Sequence, residues 1–298
     1  LILEAIFKKC EICNSYDWKI IYSGPIRDGV FGKFKKNCNI AICCTCKVQR
    51  LEEKSCLNFE KYVDNFYREK VGQEADISEY FNIHDKQNLF TQNYIWPYSL
   101  RDKVLLDVGS GGGSLLDSFK GITSKQIAVE PFENYHSSLK SRGIEVFENL
   151  KTINKNYNNK IDFAFSIQVI EHVKNPVMFL KEIKKLLKFG GKLVVSTPNR
   201  NDILMQGNKK YYVPFFYRVV HRWYFNKNSL IKCALLAGLK VEKFQFVHRY
   251  SMSNFINWIK YNKPLGLKKL NYVDDTADSF WKKYVESMGK SDTMYITL

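Results

Sequence analysis

The chain has 298 residues, 45% of them apolar and 26% charged, enough for one large core with a smaller module beside it and a globular, soluble protein by default. No apolar run approaches the roughly 20 residues of a membrane-spanning helix, and the opening Leu1–Cys10 is too short and too soon charged for a secretory signal, so a cytoplasmic location is expected. The net charge of +16 (46 Lys and Arg against 30 Asp and Glu) fits a phosphate-bearing or nucleic-acid partner, or equally a Lys-rich surface inherited from an AT-biased genome.

Seven of the eight cysteines precede residue 57, and without a secretory context such clustering points to metal rather than to disulfides. Cys10-x-x-Cys13 and Cys43-x-x-Cys46 are two knuckles whose four thiolates can converge on one structural zinc. Residues 1–58 are therefore expected to form a zinc-ribbon module, with short strands between Trp18 and Ile42 broken at Gly24-Pro25 and Asp28-Gly29. Its small core implies that the metal supplies folding energy, which favours an architectural role. The competing reading is a set of buried free thiols. Cys38, Cys44 and Cys56 are spare, and Cys44 is a second choice to Cys43 as a ligand.

The knuckles, followed by Val48-Gln49 and Phe66-Tyr67-Arg68, resemble the N-terminal zinc-binding domain of methyltransferases that act on sugars, including deoxysugar C-methyltransferases. Residues 59–101 carry apolar spacing (Phe59, Val63, Phe66, Tyr67; Ile77, Phe81, Leu89, Phe90) that predicts a helical linker, one that bridges to the main domain and caps its cofactor cleft. A plain helical linker fits the same spacing.

From 102 to 298 strand-like and helix-like segments alternate. Strands are predicted at 103–108, 126–130, 144–147, 161–166 and 192–197, and helices at about 113–120, 132–142, 150–157 and 176–188. That is the rhythm of an α/β, doubly wound sheet, which binds ligands beyond the carboxyl ends of its strands. Lys103–Gly113 reads KVLLDVGSGGG, a buried strand, an acid and a glycine turn. Glu130, about 20 residues beyond the turn, is placed to accept the hydroxyls of an adenosine ribose, which NAD and S-adenosylmethionine share. Asp107 separates them, because an acid at the strand end opposes a pyrophosphate and suits a cofactor bearing an ammonium group.

With Phe165–Val173 and the Gly190-Gly191 pair added, the region is similar to the class I S-adenosylmethionine-dependent methyltransferases, including ubiquinone-pathway enzymes. The resemblance implies a Rossmann-like, mostly parallel sheet whose last strand is antiparallel. It implies cofactor binding by Asp107, Gly109, Gly111, Gly113, Glu130 and Gln168. Residues 198–225 read as a polar, aromatic loop, followed by a helix at 227–237, a strand at 239–247 and a closing strand in the tail 293–298. Residues at about 249–290 are then a helical insertion, expected to lie over the active site, and Arg249–Asn254, Trp258 and Lys263–Gly266 resemble segments of surface-polysaccharide methyltransferases.

The implied reaction is methylation of a sugar or nucleotide-linked sugar at oxygen or carbon, with His172 or His221 as the base. His172 could instead cap a helix or pack between strand and helix. His84, His136 and His248 have no context that singles them out. One rival is an RNA methyltransferase using the ribbon and the basic surface, although no aromatic-plus-basic single-strand motif is present. The other is a non-catalytic S-adenosylmethionine-binding partner.

Overall fold

A computed structural model describes residues 7–58, 77–153 and 157–298. The expected helical spacing at Phe59, Val63, Phe66 and Tyr67 lies outside those residues. The chain divides into two compact units. The first comprises 1–57, 197–233 and 244–295, and the second 58–196, 234–243 and 296–298. No helix among the described residues is long and apolar enough to cross a membrane.

The second unit is built on parallel strands β4 (Val104–Val108), β5 (Lys125–Val129), β6 (Glu145–Phe147), β7 (Ile161–Ile167) and β8 (Leu187–Pro198). The order β8-β7-β4-β5-β6 continues through β11 (Thr293–Thr297) to β10 (Lys243–Val247). Leu193 and Leu298 exchange both backbone hydrogen bonds, at 2.9 Å each, as antiparallel partners do. The mostly parallel sheet with an antiparallel last strand is thus the Rossmann-like architecture expected. Leu105, Leu106, Ile127, Ala128, Phe165 and Val194 are fully buried, which explains why these strands read as continuous apolar runs rather than alternating ones.

Helices flank the sheet: α1 (Ile77–Ile95), α2 (Ser114–Asp117), α3 (His136–Ser141) and α4 (Pro176–Leu186). Asn175 caps α4 by accepting the Met178 N–H, and proline fits its first turn. Val177, Leu180 and Ile183 form its buried stripe, so the lysines at 181, 184 and 185 are its solvated face. Three expectations need correction. The 113–120 segment is helical only over α2, and 150–153 are turns. The Gly190-Gly191 pair lies inside β8 rather than before it, because Gly191 runs against the carbonyls of Ile161 and Lys188 and a side chain there would collide with them.

In the first unit β1 (Trp18–Arg27), β2 (Phe34–Cys43), β3 (Gln49–Leu51) and β9 (Trp223–Tyr224) form a second, antiparallel sheet in that order. Gly24-Pro25 does not break β1. It sits at a shift of register between Gly24 and Ile26 on an edge strand, where the missing proline N–H costs no ladder bond. The segment read as a loop at 198–225 carries α5 (Leu204–Gly207), α6 (Lys209–Phe216) and β9. After α7 (Lys227–Leu236), the 249–290 segment carries α8 (Met252–Tyr261) and α9 (Asp275–Ser287).

Asn199 is fully buried in this unit. Its amide donates to the carbonyls of Gly289 (3.1 Å) and Ser291 (2.9 Å), and its oxygen accepts the Asn201 N–H (3.0 Å). Asn199→Ala strands those backbone groups, so we expect a loss of about 2–4 kcal/mol, read as a lower urea midpoint with unchanged slope. An unchanged midpoint would contradict this packing.

Candidate functional site

The turn after β4 is held in a conformation that needs glycine. Gly109, Gly111 and Gly113 have φ of 83°, 55° and 87°, a region other residues reach only with strain. The N–H groups of Gly109 and Ser110 both donate to the Val129 carbonyl, at 2.8 and 3.4 Å, fixing the turn to the end of β5. A Cβ on Gly109 would lie 2.4 Å from a methyl of Val169, and one on Gly113 would lie 2.5 Å from Leu139.

Glu130 fastens the turn from the side. One carboxylate oxygen accepts the Gly111 N–H at 2.7 Å and the other accepts the Phe132 N–H at 2.9 Å, with the residue only 4% exposed. His136 meets the Glu130 carbonyl at 2.7 Å, a context its sequence position did not announce.

Asp107 ends β4 fully enclosed, 2% exposed, and its Oδ1 has no hydrogen-bond partner among the described residues. Burial pushes its carboxyl up to about 7, and the charge of Glu130 adds to the rise. A buried carboxylate oxygen of this kind beside a glycine turn suits a hydrogen-bond donor, and a cationic one would reverse the rise. These residues fit S-adenosylmethionine, whose amino group offers that donor and whose ribose offers hydroxyls.

Sequence reasoning missed the side chains that back the turn. Tyr80 on α1 donates to the Ser110 carbonyl at 3.3 Å and stacks on His84 with ring centroids 4.2 Å apart. A Cβ on Gly111 or Gly112 would lie 2.7 or 2.6 Å from the Tyr80 ring system. Asn88 and Gln92, further along the same helix, donate to Ser114 and Ser118 at 2.9 and 2.6 Å. Arg142 donates to the Gly112 carbonyl and pairs with Asp117. The signal for α1 was its apolar spacing; nothing in the spacing of Arg142 pointed to the turn.

At the carboxyl end of β7, Gln168 sits at φ 57°, a left-handed position unusual for a residue with a side chain. Its N–H donates to the Ser196 carbonyl at 3.0 Å and its amide to the Ser196 hydroxyl at 3.2 Å, which offsets the strain. Beyond it Glu171 is buried, and the half-buried His172 has Nε2 3.9 Å from the Glu171 carboxylate. His221 belongs to the first unit, where it is 7% exposed and its ring lies 6.0 Å from that of Tyr224.

The four-cysteine cluster lies within the first unit. The Sγ atoms of Cys10, Cys13, Cys43 and Cys46 are all within 4.8 Å of one another. Cys10–Cys46 and Cys13–Cys43 are 3.7 and 3.4 Å apart, close to the ~3.8 Å edge of a tetrahedron with ~2.3 Å metal–sulfur bonds. Cys44 is not in the cluster; its N–H donates to the Asp17 carbonyl at 2.9 Å. Arg50, 4% exposed, pairs with Glu11 between the first two cysteines at 3.0 Å and with Glu53 at 2.6 Å, bracing the first knuckle against β3.

A family model described as a methyltransferase domain matches residues 84–243. The ubiquinone biosynthesis O-methyltransferase of Aeromonas salmonicida (strain A449) is 26% identical over 164 residues, 51% of this chain and 69% of that protein. The protein of the same name from Glaesserella parasuis serovar 5 is 33% identical over 129 residues, 40% of this chain and 50% of that one. The chain spans about half the length of most of the curated relatives it matches. Among solved structures, a SAM-dependent methyltransferase from Archaeoglobus fulgidus aligns at 15% identity with a TM-score of 0.49, covering 78% of this chain and 97% of that one.

Two substitutions test the turn. Gly109→Ala forces a Cβ into Val169 at a left-handed φ; we expect a stability loss of about 1–3 kcal/mol together with loss of cofactor binding. A variant as stable as wild type would count against the cradle. Asp107 holds its proton more tightly folded than unfolded, so its contribution to stability falls as pH rises from about 4 to about 7. Asp107→Asn cannot ionise and removes that fall. Without cofactor it should be more stable than wild type at pH 8, by about 4 kcal/mol, with the advantage vanishing below pH 4. A pH-independent difference in melting temperature would show that Asp107 is not the buried acid described.

Proposed function

Because the chain belongs to the methyltransferase-domain family, which matches more than half of it, we propose that it transfers a methyl group from S-adenosylmethionine to a hydroxyl of a phosphorylated or nucleotide-linked sugar. The observation that carries the donor is Asp107, a buried carboxylate beside the glycine turn with one oxygen unpartnered among the described residues. When bound, S-adenosylmethionine supplies a sulfonium-activated methyl group. Asp107 would receive its amino group, Glu130 its ribose hydroxyls, and Gln168 would line its methionine end. Gly109, Gly111 and Gly113 let the backbone approach it.

A sugar hydroxyl needs a base. His172, beside the buried Glu171 at the exit of β7, is assigned that role first, receiving the acceptor's proton on its imidazole. His221 is the second assignment. The relatives named O-methyltransferases support transfer to oxygen. Support for a sugar comes from the four-cysteine module, which lies outside the residues the family model matches and resembles that of sugar methyltransferases. Cys10, Cys13, Cys43 and Cys46 would hold one zinc, whose role is to fold that module.

The test is incubation with labelled S-adenosylmethionine and separate panels of nucleotide sugars, catechols and RNA, read by mass spectrometry. We expect one methyl on a nucleotide sugar, lost by about 10²–10⁴-fold in kcat for His172→Ala with cofactor affinity retained. Label on a catechol or RNA alone would overturn the sugar reading. Metal analysis is expected to give about one zinc per chain, lost when Cys10 and Cys13 are both replaced by Ser; a metal-free, fully folded protein would remove the zinc assignment.

A further inference from the structure

The loop between α8 and α9 is held in one shape by side chains that are themselves buried. Asn262, in the left-handed region at φ 56°, caps the end of α8, and the chain turns back along the helix. Asn254, 5% exposed, accepts the N–H groups of Leu265 and Gly266 at 2.9 and 3.1 Å. Asn257, equally enclosed, donates to the Lys263 carbonyl at 2.7 Å. Ser253 accepts the Leu270 N–H at 3.0 Å. Enclosing that many polar groups is costly unless every one is satisfied, and here their partners are the loop's own backbone. An exposed turn needs no such support, so what the support achieves is a fixed presentation of the side chains on the loop.

Those side chains line a groove of about 410 Å³ formed by Asn257, Tyr261, Lys263, Pro264, Leu265 and Lys268. No acid lines it. Lys269, the next residue along, is neutralised by Asp275, and Lys282 pairs with Asp278. Lys263 and Lys268 have no ion pair among the described residues. Tyr261 borders the groove about half exposed, with the Lys260 ammonium 5.1 Å from its ring centroid. Two uncompensated ammonium groups on a rigid loop, beside an accessible aromatic face, match an anion carried on a flat or apolar-faced ring.

We propose that this groove binds the phosphate or diphosphate of a small ring-bearing molecule, with Lys263 and Lys268 on the anion and Tyr261 against the ring. The inference rests on the proposed acceptor class for its biological source, but the groove's anion chemistry stands without it. A nucleoside diphosphate and free inorganic pyrophosphate share the anion and differ in the ring, which separates the two contacts.

The experiment titrates the full chain, with its metal bound, with inorganic pyrophosphate and with uridine diphosphate at low salt by calorimetry. Both ligands should bind to wild type and weaken steeply with added salt. Lys263→Ala/Lys268→Ala should weaken both by about tenfold or more, while melting temperature and S-adenosylmethionine affinity stay unchanged. Tyr261→Ala should weaken uridine diphosphate and leave pyrophosphate as it was. No binding to wild type, or equal binding to the double variant, overturns the proposal. Methylation of a nucleotide sugar that is indifferent to both lysines would refute the groove alone. Lysine-dependent diphosphate binding without methylation of any sugar would refute the acceptor class alone.

Discussion

The candidate cofactor site depends on one buried carboxylate serving two backbone segments at once. Glu130 accepts from Gly111 in the turn after β4 and from Phe132 in the exit from β5, so the ends of two adjacent strands are tied through a single side chain. A charge 4% exposed is tolerated there because charge-assisted hydrogen bonds satisfy it. The same charge raises the proton affinity of Asp107 and leaves the strand end short of a cation. The turn, the strap and the acid are therefore one arrangement, and the proposed ligand would complete it with both hydroxyls and a positive charge.

Around that arrangement the chain supplies a wall. Tyr80 and the polar face of α1 hold the glycine turn from one side, and Arg142 holds the Gly112 carbonyl from another. Tyr80 and Arg142 donate to backbone carbonyls of the turn, and Asn88 and Gln92 to the hydroxyls of Ser114 and Ser118 just beyond it, so together they fix the geometry of the turn. The first unit uses a similar economy. Buried Asn199, Asn254 and Asn257 each hold backbone groups that no helix or strand satisfies.

How legible this was from sequence depended on whether a signal is local. The β4 turn could be read because strand, acid and glycines are contiguous, and parallel strands buried on both faces give unbroken apolar runs. The two knuckles could be read because their cysteines come in pairs. By contrast, β9 is two residues long and gains its place only by pairing with β3, about 170 residues earlier in the chain. Gly24-Pro25 looked like a strand break because a proline's missing donor matters only when that edge is paired, which depends on neighbours the local sequence does not name. Arg142, Tyr80 and the Asn254–Leu265 bonds are long-range or loop contacts and leave no period to detect.

The central claim is that the turn, Asp107 and Glu130 together select S-adenosylmethionine over other adenosine cofactors. Calorimetric titration of the full chain with S-adenosylmethionine, S-adenosylhomocysteine and NAD tests it most directly. The account predicts binding of the first two at one site per chain, and none of NAD, whose pyrophosphate would meet the acid at the end of β4. Binding of NAD, with none of S-adenosylmethionine, would contradict it.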